Sequence, residues 1–218
     1  MQTRALVFAN GELNDGPMVR HALAQGAGAL IAAADGGARL AQACGLRPTV
    51  VIGDMDSLTA DEVAALRAGG STVLSYPEEK DQTDLELVLH WASEQGVNWM
   101  RIIGGIGSRF DQTVSNLHLL ALPALKGCDV RMAAWAQETW LLRPPEGFID
   151  GAPGDTVSLL PLSGRVTGIR TDGLRYPLHD ETLALGPARG VSNVLTDARA
   201  RVRIAEGVLL VVRTLGKA

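Results

Sequence analysis

"MRIIGGIGSRFDQTVSNLHLLA", residues 100–121, passes from a short apolar run through a glycine-rich turn into a segment with helical spacing. Residues 100–103 have the length and branching of a buried strand, and Val114, Leu117 and Ala121 recur after Asp111 on what would be one helix face. A strand, a turn and a helix in that order form half of a parallel βα crossover.

The same alternation fills the first 140 or so residues. Strands are expected at 5–9, 29–34, 49–52, 72–76, 100–103 and 129–134. Between two of them Leu85, Val88, Leu89 and Ala92 recur at i, i+3, i+4 and i+7, the stripe of a helix facing a sheet. Pro and Gly then accumulate in "RPPEGFIDGAPGD", residues 143–155, where the helical pattern stops and a domain boundary is expected. Beyond it, short apolar runs such as "TVSLLPL", "RVTGI" and "VLLVVRT" alternate with Gly, Asp and Pro. The expected fold class is therefore α/β, with an N-terminal, mainly parallel sheet flanked by helices in residues 1–143 and a C-terminal antiparallel β-sandwich in residues 154–218.

Composition narrows the function. At 218 residues, with 46% hydrophobic and 20% charged residues, the chain can bury a sizeable core. A net charge of -4 without clustered Lys and Arg argues against a nucleic-acid binder. No window reaches the length of a membrane span and the N-terminal apolar run is short, so no membrane partner and a cytoplasmic location are expected. Cys44 and Cys128 are isolated, which fits buried thiols in a reducing compartment. The four histidines form no H-x-x-x-H, no G-x-S-x-G elbow occurs, and the four tryptophans are expected in the core.

Polar residues gather where strands end. Asp35-Gly36-Gly37 follows the second expected strand, Gly53-Asp54-Met55-Asp56-Ser57 the third, Lys80-Asp81-Gln82-Thr83-Asp84 the fourth, and the run from Gly104 to Asp111 the fifth. Ligands of parallel sheets bind outside the carboxyl ends of the strands, so these four loops share one edge. Any single aspartate there is met by turn or helix-cap chemistry. Six on one edge point to a site, because neighbouring carboxylates raise one another's pKa unless a cation is present. Magnesium with a polyphosphate satisfies that condition, and Asp54 and Asp56, if extended, present both side chains to one face. "GGIGSRFD" lets backbone N–H groups approach a phosphate, with Arg109 adding charge, but it matches neither the P-loop nor G-x-G-x-x-G. On the residues alone, Tyr176 in "GLRYPL" and Ser192-Asn193 in "GVSN" read as turn residues.

Taken in order, Asn10-Gly11-Glu12, "ADGGARLA", "VIGDMDSL", "EKDQTDLELVL", "IIGGIGSRFDQTVSNL", "GDTVSLLPLSG", "GIRTDGLRYPL" and "GVSN" resemble the thiamine pyrophosphokinase family over nearly the whole chain. The resemblance implies an N-terminal domain binding ATP and magnesium, a C-terminal domain binding thiamine, a homodimer, and transfer of pyrophosphate from ATP to thiamine with release of AMP. It implies that Asp54, Asp56, Asp81 and Asp84, with Asp35, surround the metal and triphosphate, and that Lys80 lies near the reacting phosphates. It implies nucleotide loops at Asn10, Gly36, Gly53, Ser57, Thr83, Gly105, Ser108, Arg109 and Asp111. It gives Tyr176 the place of an aromatic platform, and Ser192 and Asn193 a place in the thiamine pocket of the partner subunit. Asp81 and Asp84 both stand as a general base. Two rival readings use the same residues: a metal-dependent nucleotide phosphohydrolase, and a non-catalytic nucleotide or thiamine binder, against which the intact acidic set argues.

Overall fold

The computed structural model describes residues 3–217, which divide into two compact units, one ending at Trp135 and the other beginning at Ala136. In the first unit six strands, β1 (Arg4–Phe8), β2 (Leu30–Ala34), β3 (Val50–Gly53), β4 (Thr72–Ser75), β5 (Trp99–Ile103) and β6 (Asp129–Ala134), pair in the order β6-β5-β1-β2-β3-β4. All five pairings are parallel. The central strands are buried on both faces and apolar apart from Arg4 and the buried Arg101, as helices on either side of a parallel sheet require. Each strand lies within one residue of its expected span.

The order has a functional consequence. From β1 the chain steps outward through β2, β3 and β4, then returns to place β5 on the other side of β1. The strand order therefore reverses between β1 and β5, and a crevice opens outside the carboxyl ends at such a switch point.

Five helices cover the sheet: α1 (Pro17–Gln25), α2 (Gly37–Ala43), α3 (Ala60–Ala68), α4 (Asp84–Glu94) and α5 (Phe110–Leu119). Helix α4 buries Leu85, Val88, Leu89 and Ala92, the stripe read from the sequence, together with Leu87. Helix α5 departs from its expected face. Val114 is 36% exposed and Ala121 lies beyond the helix, while the buried positions are Asn116 and Leu119. The reason is polar: Asn116 Nδ2 donates to the carbonyl of Gly105 at 2.8 Å, so the inward face is set by a hydrogen bond that hydrophobic periodicity does not register.

The second unit contains β7 (Gln137–Leu142), β8 (Glu146–Asp150), β9 (Thr156–Pro161), β10 (Arg165–Asp172), β11 (His179–Ala184), β12 (Asn193–Val194), β13 (Arg199–Arg203) and β14 (Leu209–Thr214). They form two antiparallel layers, β12-β9-β14-β7 and β11-β10-β13-β8, around a core that includes Trp140, Ile149, Val157, Leu159, Ile169, Val202 and Val211. This is a β-sandwich. The Pro- and Gly-rich stretch 143–155 falls inside this unit, because those residues turn the chain between its own strands β7, β8 and β9. Its β7 precedes the boundary expected at 143–155.

Trp99 and Trp140 are buried as expected, whereas Trp135 is 47% exposed and adopts φ +48° in a turn. Both cysteines are half-buried, and burial pushes the Cys128 thiol up to about 11. Among the described residues no helix is long and apolar enough to cross a membrane.

Candidate active site

A cavity of ≈ 630 Å³ opens at the carboxyl edge of the first unit's sheet. Residues following β1, β2, β3, β4 and β5 line it. Of the candidates from the sequence, Asn10, Asp35, Asp54, Asp56, Ser57, Lys80, Thr83, Asp84, Gly105, Ser108 and Arg109 are on its wall. Gly36 and Gly53 stand just behind it and explain themselves sterically. A Cβ on Gly53 would come within 2.9 Å of Asp35 Cβ and 3.0 Å of Asp84 Cγ, and one on Gly36 would collide with the Asn10 amide. Asp81 and Asp111 are exposed and do not line the cavity.

The acidic residues sort differently from the D-x-D expectation. Strand β3 ends at Gly53, and Met55 takes φ +66°, so Asp54-Met55-Asp56 is a turn in which Asp54 Oδ1 accepts the Asp56 N–H at 3.2 Å. An aspartate readily closes such a turn on the amide two residues ahead. Asp56 then accepts the Ser57 hydroxyl at 3.0 Å, and Ser57 Oγ accepts from Asn10 Nδ2 at 2.9 Å.

The partners of Asp54 are instead Asp35 and Asp84, one carboxylate oxygen from each of the three lying within 4.8 Å of the others. Asp35 is 2% exposed, with φ +46° at the end of β2. Its Oδ2 accepts the Ser57 N–H at 3.2 Å, while its buried Oδ1 has no hydrogen-bond partner among the described residues. Thr83 caps α4 by accepting the Glu86 N–H at 3.2 Å, which places Asp84 at the first helical position with its carboxylate in the trio.

Lys80 enters the trio from the β4–α4 loop. Its Nζ donates to Asp54 Oδ2 at 3.0 Å and to the Pro77 carbonyl at 3.1 Å. It also lies 3.1 Å from Asp84 Oδ1, an ion pair off the alignment of a hydrogen bond. Burial alone would lower the Lys80 pKa, but its contacts with Asp54 and Asp84 outweigh it and leave the pKa above the ordinary value. Asp54 is lowered because, against burial, Lys80 and the Asp56 N–H favour its charged form. Asp84 is raised, first by burial and then by the charges of Asp54 and Asp35, which together exceed the pull of Lys80.

The opposite wall is the glycine loop after β5, held from several sides. Asn14 Nδ2 donates to the Ile106 carbonyl at 2.7 Å, Asn116 to Gly105, Thr113 Oγ1 accepts the Gly107 N–H at 3.2 Å, and Glu12 Oε1 accepts the Ser108 N–H at 2.9 Å. Thr113 and Asn116 line the cavity and were not singled out in the sequence; their signal was polar spacing at i and i+3 on the helix after a glycine loop. Arg109 is an exposed, bidentate partner of Asp111, at 2.6 and 3.2 Å.

In the second unit, Tyr176 is 55% exposed beside Arg175, whose guanidinium lies 5.8 Å from the ring centre. Ser192 is exposed at φ +59°, with its N–H on Ser158 Oγ at 3.1 Å. Asn193 is buried, and its side chain bonds to the backbone of Tyr176 and Val194.

The fold and the site define a class, the α/β proteins that take phosphate-bearing ligands at the carboxyl edge of a parallel sheet. Residues 23–132 match the family model described as "Thiamin pyrophosphokinase, catalytic domain", and residues 146–209 match "Thiamin pyrophosphokinase, vitamin B1 binding domain". The chain is 29% identical to thiamine pyrophosphokinase of Bacillus subtilis (strain 168) over 171 residues, 78% of this chain and 80% of that protein. The crystal structure of thiamine pyrophosphokinase from Bacillus subtilis is similar at a TM-score of 0.85 and 27% identity, covering 98% of this chain and 99% of that one. The yeast thiamin pyrophosphokinase structure shares the fold at a TM-score of 0.81 and 17% identity, covering 98% and 87%.

The chain belongs to the thiamin pyrophosphokinase family. It is a transferase that moves pyrophosphate from ATP to thiamine, and neither the hydrolase nor the non-catalytic binder is favoured.

Proposed function

We propose that Asp35, Asp54 and Asp84 hold magnesium during this transfer, and that the β1–α1, β3–α3 and β5–α5 loops hold the nucleotide. The observation that carries the reading is a cluster of three carboxylates in which the most buried, Asp35, keeps an oxygen, Oδ1, with no hydrogen-bond partner among the described residues. The donor set fits: all are hard oxygens, and magnesium takes one or two carboxylates and completes its shell with phosphate oxygens and water. When bound, the ion would neutralise the triphosphate and the charge that builds on the bridging oxygen toward AMP.

The remaining work falls to the chain. The hydroxyl of thiamine attacks the β-phosphorus, a new P–O bond forms, and the bond from that phosphorus to the α-phosphate oxygen breaks to release AMP. Lys80 and Arg109 supply positive charge to the phosphates, and Asn10 and Ser57 orient them. Of the two carboxylates considered as general base, Asp84 is the one on the cavity wall. Asp56 serves the site through Ser57, and Asp81 lies outside it.

The protein acts as a cytoplasmic homodimer in this reading, with thiamine taken by the second unit. Tyr176, Ser192 and Asn193 all lie within the residues that match the vitamin B1 binding domain. The test is product analysis with ATP and thiamine, with and without magnesium. AMP and thiamine pyrophosphate should form in equal amounts and only with the metal. Turnover that survives chelation, or ADP as the main nucleotide product, would overturn the reading.

A further inference from the structure

Three carboxylates this close repel one another, and the structure shows what holds them together. The Lys80 ammonium donates to Asp54 and to the Pro77 carbonyl and pairs by charge with Asp84, whose Oδ1 lies 3.1 Å away. The lysine side chain is only 14% exposed, with Asp54 and Asp84 at 15% and 23%. A four-carbon stem gives up rotamer freedom and hydration to reach such a place, so charge must hold it there. A divalent cation seeking Asp54 and Asp84 meets an ammonium already on the same two carboxylates. Two positive charges on those oxygens disfavour each other strongly at this depth.

We propose that Lys80 is a tethered stand-in cation: it occupies the acidic trio until metal binds, and metal binding expels its ammonium from between Asp54 and Asp84. The inference rests on the reading of Asp35, Asp54 and Asp84 as the metal site. Metal alone therefore binds weakly, because it must displace Lys80 into water. A polyphosphate offers the displaced ammonium new partners, so metal and nucleotide each tighten the other's binding through one residue, by equal factors. Lys80 is in this sense a positioning residue for the metal as well as a contact for the phosphates.

The chain has three lysines, Lys80, Lys126 and Lys217, and the last two are exposed, which supplies an internal control. Pulse acylation of lysines read by mass spectrometry, without nucleotide, should show Lys80 protected in metal-free protein. Saturating Mn²⁺ should deprotect it while Lys126 and Lys217 stay constant. In Mn²⁺ binding followed by electron paramagnetic resonance, Lys80→Met should bind the metal alone about tenfold more tightly, the scale of removing one competing ion pair. Lys80→Gln, which keeps polarity without charge, should act in the same direction. Unchanged Lys80 labelling at metal saturation, or Mn²⁺ binding no tighter in both variants, overturns the inference. Asp54→Asn separates the two readings. If it abolishes Mn²⁺ binding while Lys80 labelling ignores the metal, the metal site stands and the stand-in role falls. If it binds Mn²⁺ as the unaltered chain does, the metal site falls first.

Discussion

Asn193 returns both ends of its side-chain amide to the backbone of Tyr176, accepting its N–H at Oδ1 (3.0 Å) and donating from Nδ2 to its carbonyl (2.7 Å). The same Oδ1 accepts the Val194 N–H at 2.9 Å. A residue that the family resemblance places against thiamine thus spends most of its hydrogen-bonding capacity inside its own unit. It braces the turn that carries an exposed aromatic ring.

Asn193→Ala would remove the partner of three part-buried backbone groups, at a cost of about 1 kcal/mol. The variant should melt lower and show a raised KM for thiamine with kcat little altered. Tyr176→Ala should raise the same KM without moving the melting temperature. Thermal melts beside steady-state kinetics distinguish the two, and an Asn193→Ala protein with unaltered melting would remove the bracing role.

Asp54→Asn and Asp84→Asn should each lower kcat by about 10²–10³-fold, the usual scale for losing one charged stabiliser of a reacting oxyanion. Asp81→Asn should stay near the unaltered rate, because Asp81 is exposed and off the cavity wall. AMP release, with circular dichroism to confirm the fold, reads all three. A dead Asp81→Asn would mean that the β4–α4 loop rearranges when substrates bind.

Helix α3 offers a test in pH. Thr59 and Glu62 form a reciprocal capping box, and Glu62 also pairs with Arg39 at 2.6 and 2.7 Å. The Arg39 guanidinium, then the Thr59 N–H, hold the Glu62 carboxyl down at about 2. A depressed carboxylate contributes stability that is complete above its unfolded value and disappears as pH falls through its folded one. Glu62→Gln keeps the cap geometry and loses the charge. Its melting deficit should be full at neutral pH and shrink between the ordinary value of 4.5 and about 2. A deficit that ignores pH would assign the stabilisation to shape.

If the active site is shared across a homodimer, with Asp54 from one subunit and Asn193 from the other, two defective chains should complement. Co-refolded Asp54→Asn and Asn193→Ala chains, assayed at thiamine low enough to silence the second variant, should recover about a quarter of the unaltered activity, because one site of each mixed dimer collects both defects and the other none. Recovery of a refolded unaltered control without recovery of the mixture would confine the site to one chain.

The sequence by itself determined the elements and their edge. All six strands of the first unit lie within one residue of their expected spans, and the α4 stripe is the buried one, because apolar periodicity and glycine turns are local signals that the backbone obeys locally. That polar residues follow four strands in succession was equally legible, and parallel strands put those loops together. Which carboxylates meet was decided only by tertiary structure. Asp35 joins Asp54 and Asp84 through the β2-β3 pairing and the N-terminus of α4, whereas the left-handed turn at Met55 takes Asp56 away from the pairing that an extended D-x-D implies. The inward turn of Asn116 and the bracing by Asn193 belong to the same category. Each depends on a hydrogen bond from a side chain to the backbone of a neighbouring loop, and the energy of such a bond exists only once folding has brought its two ends together and out of water.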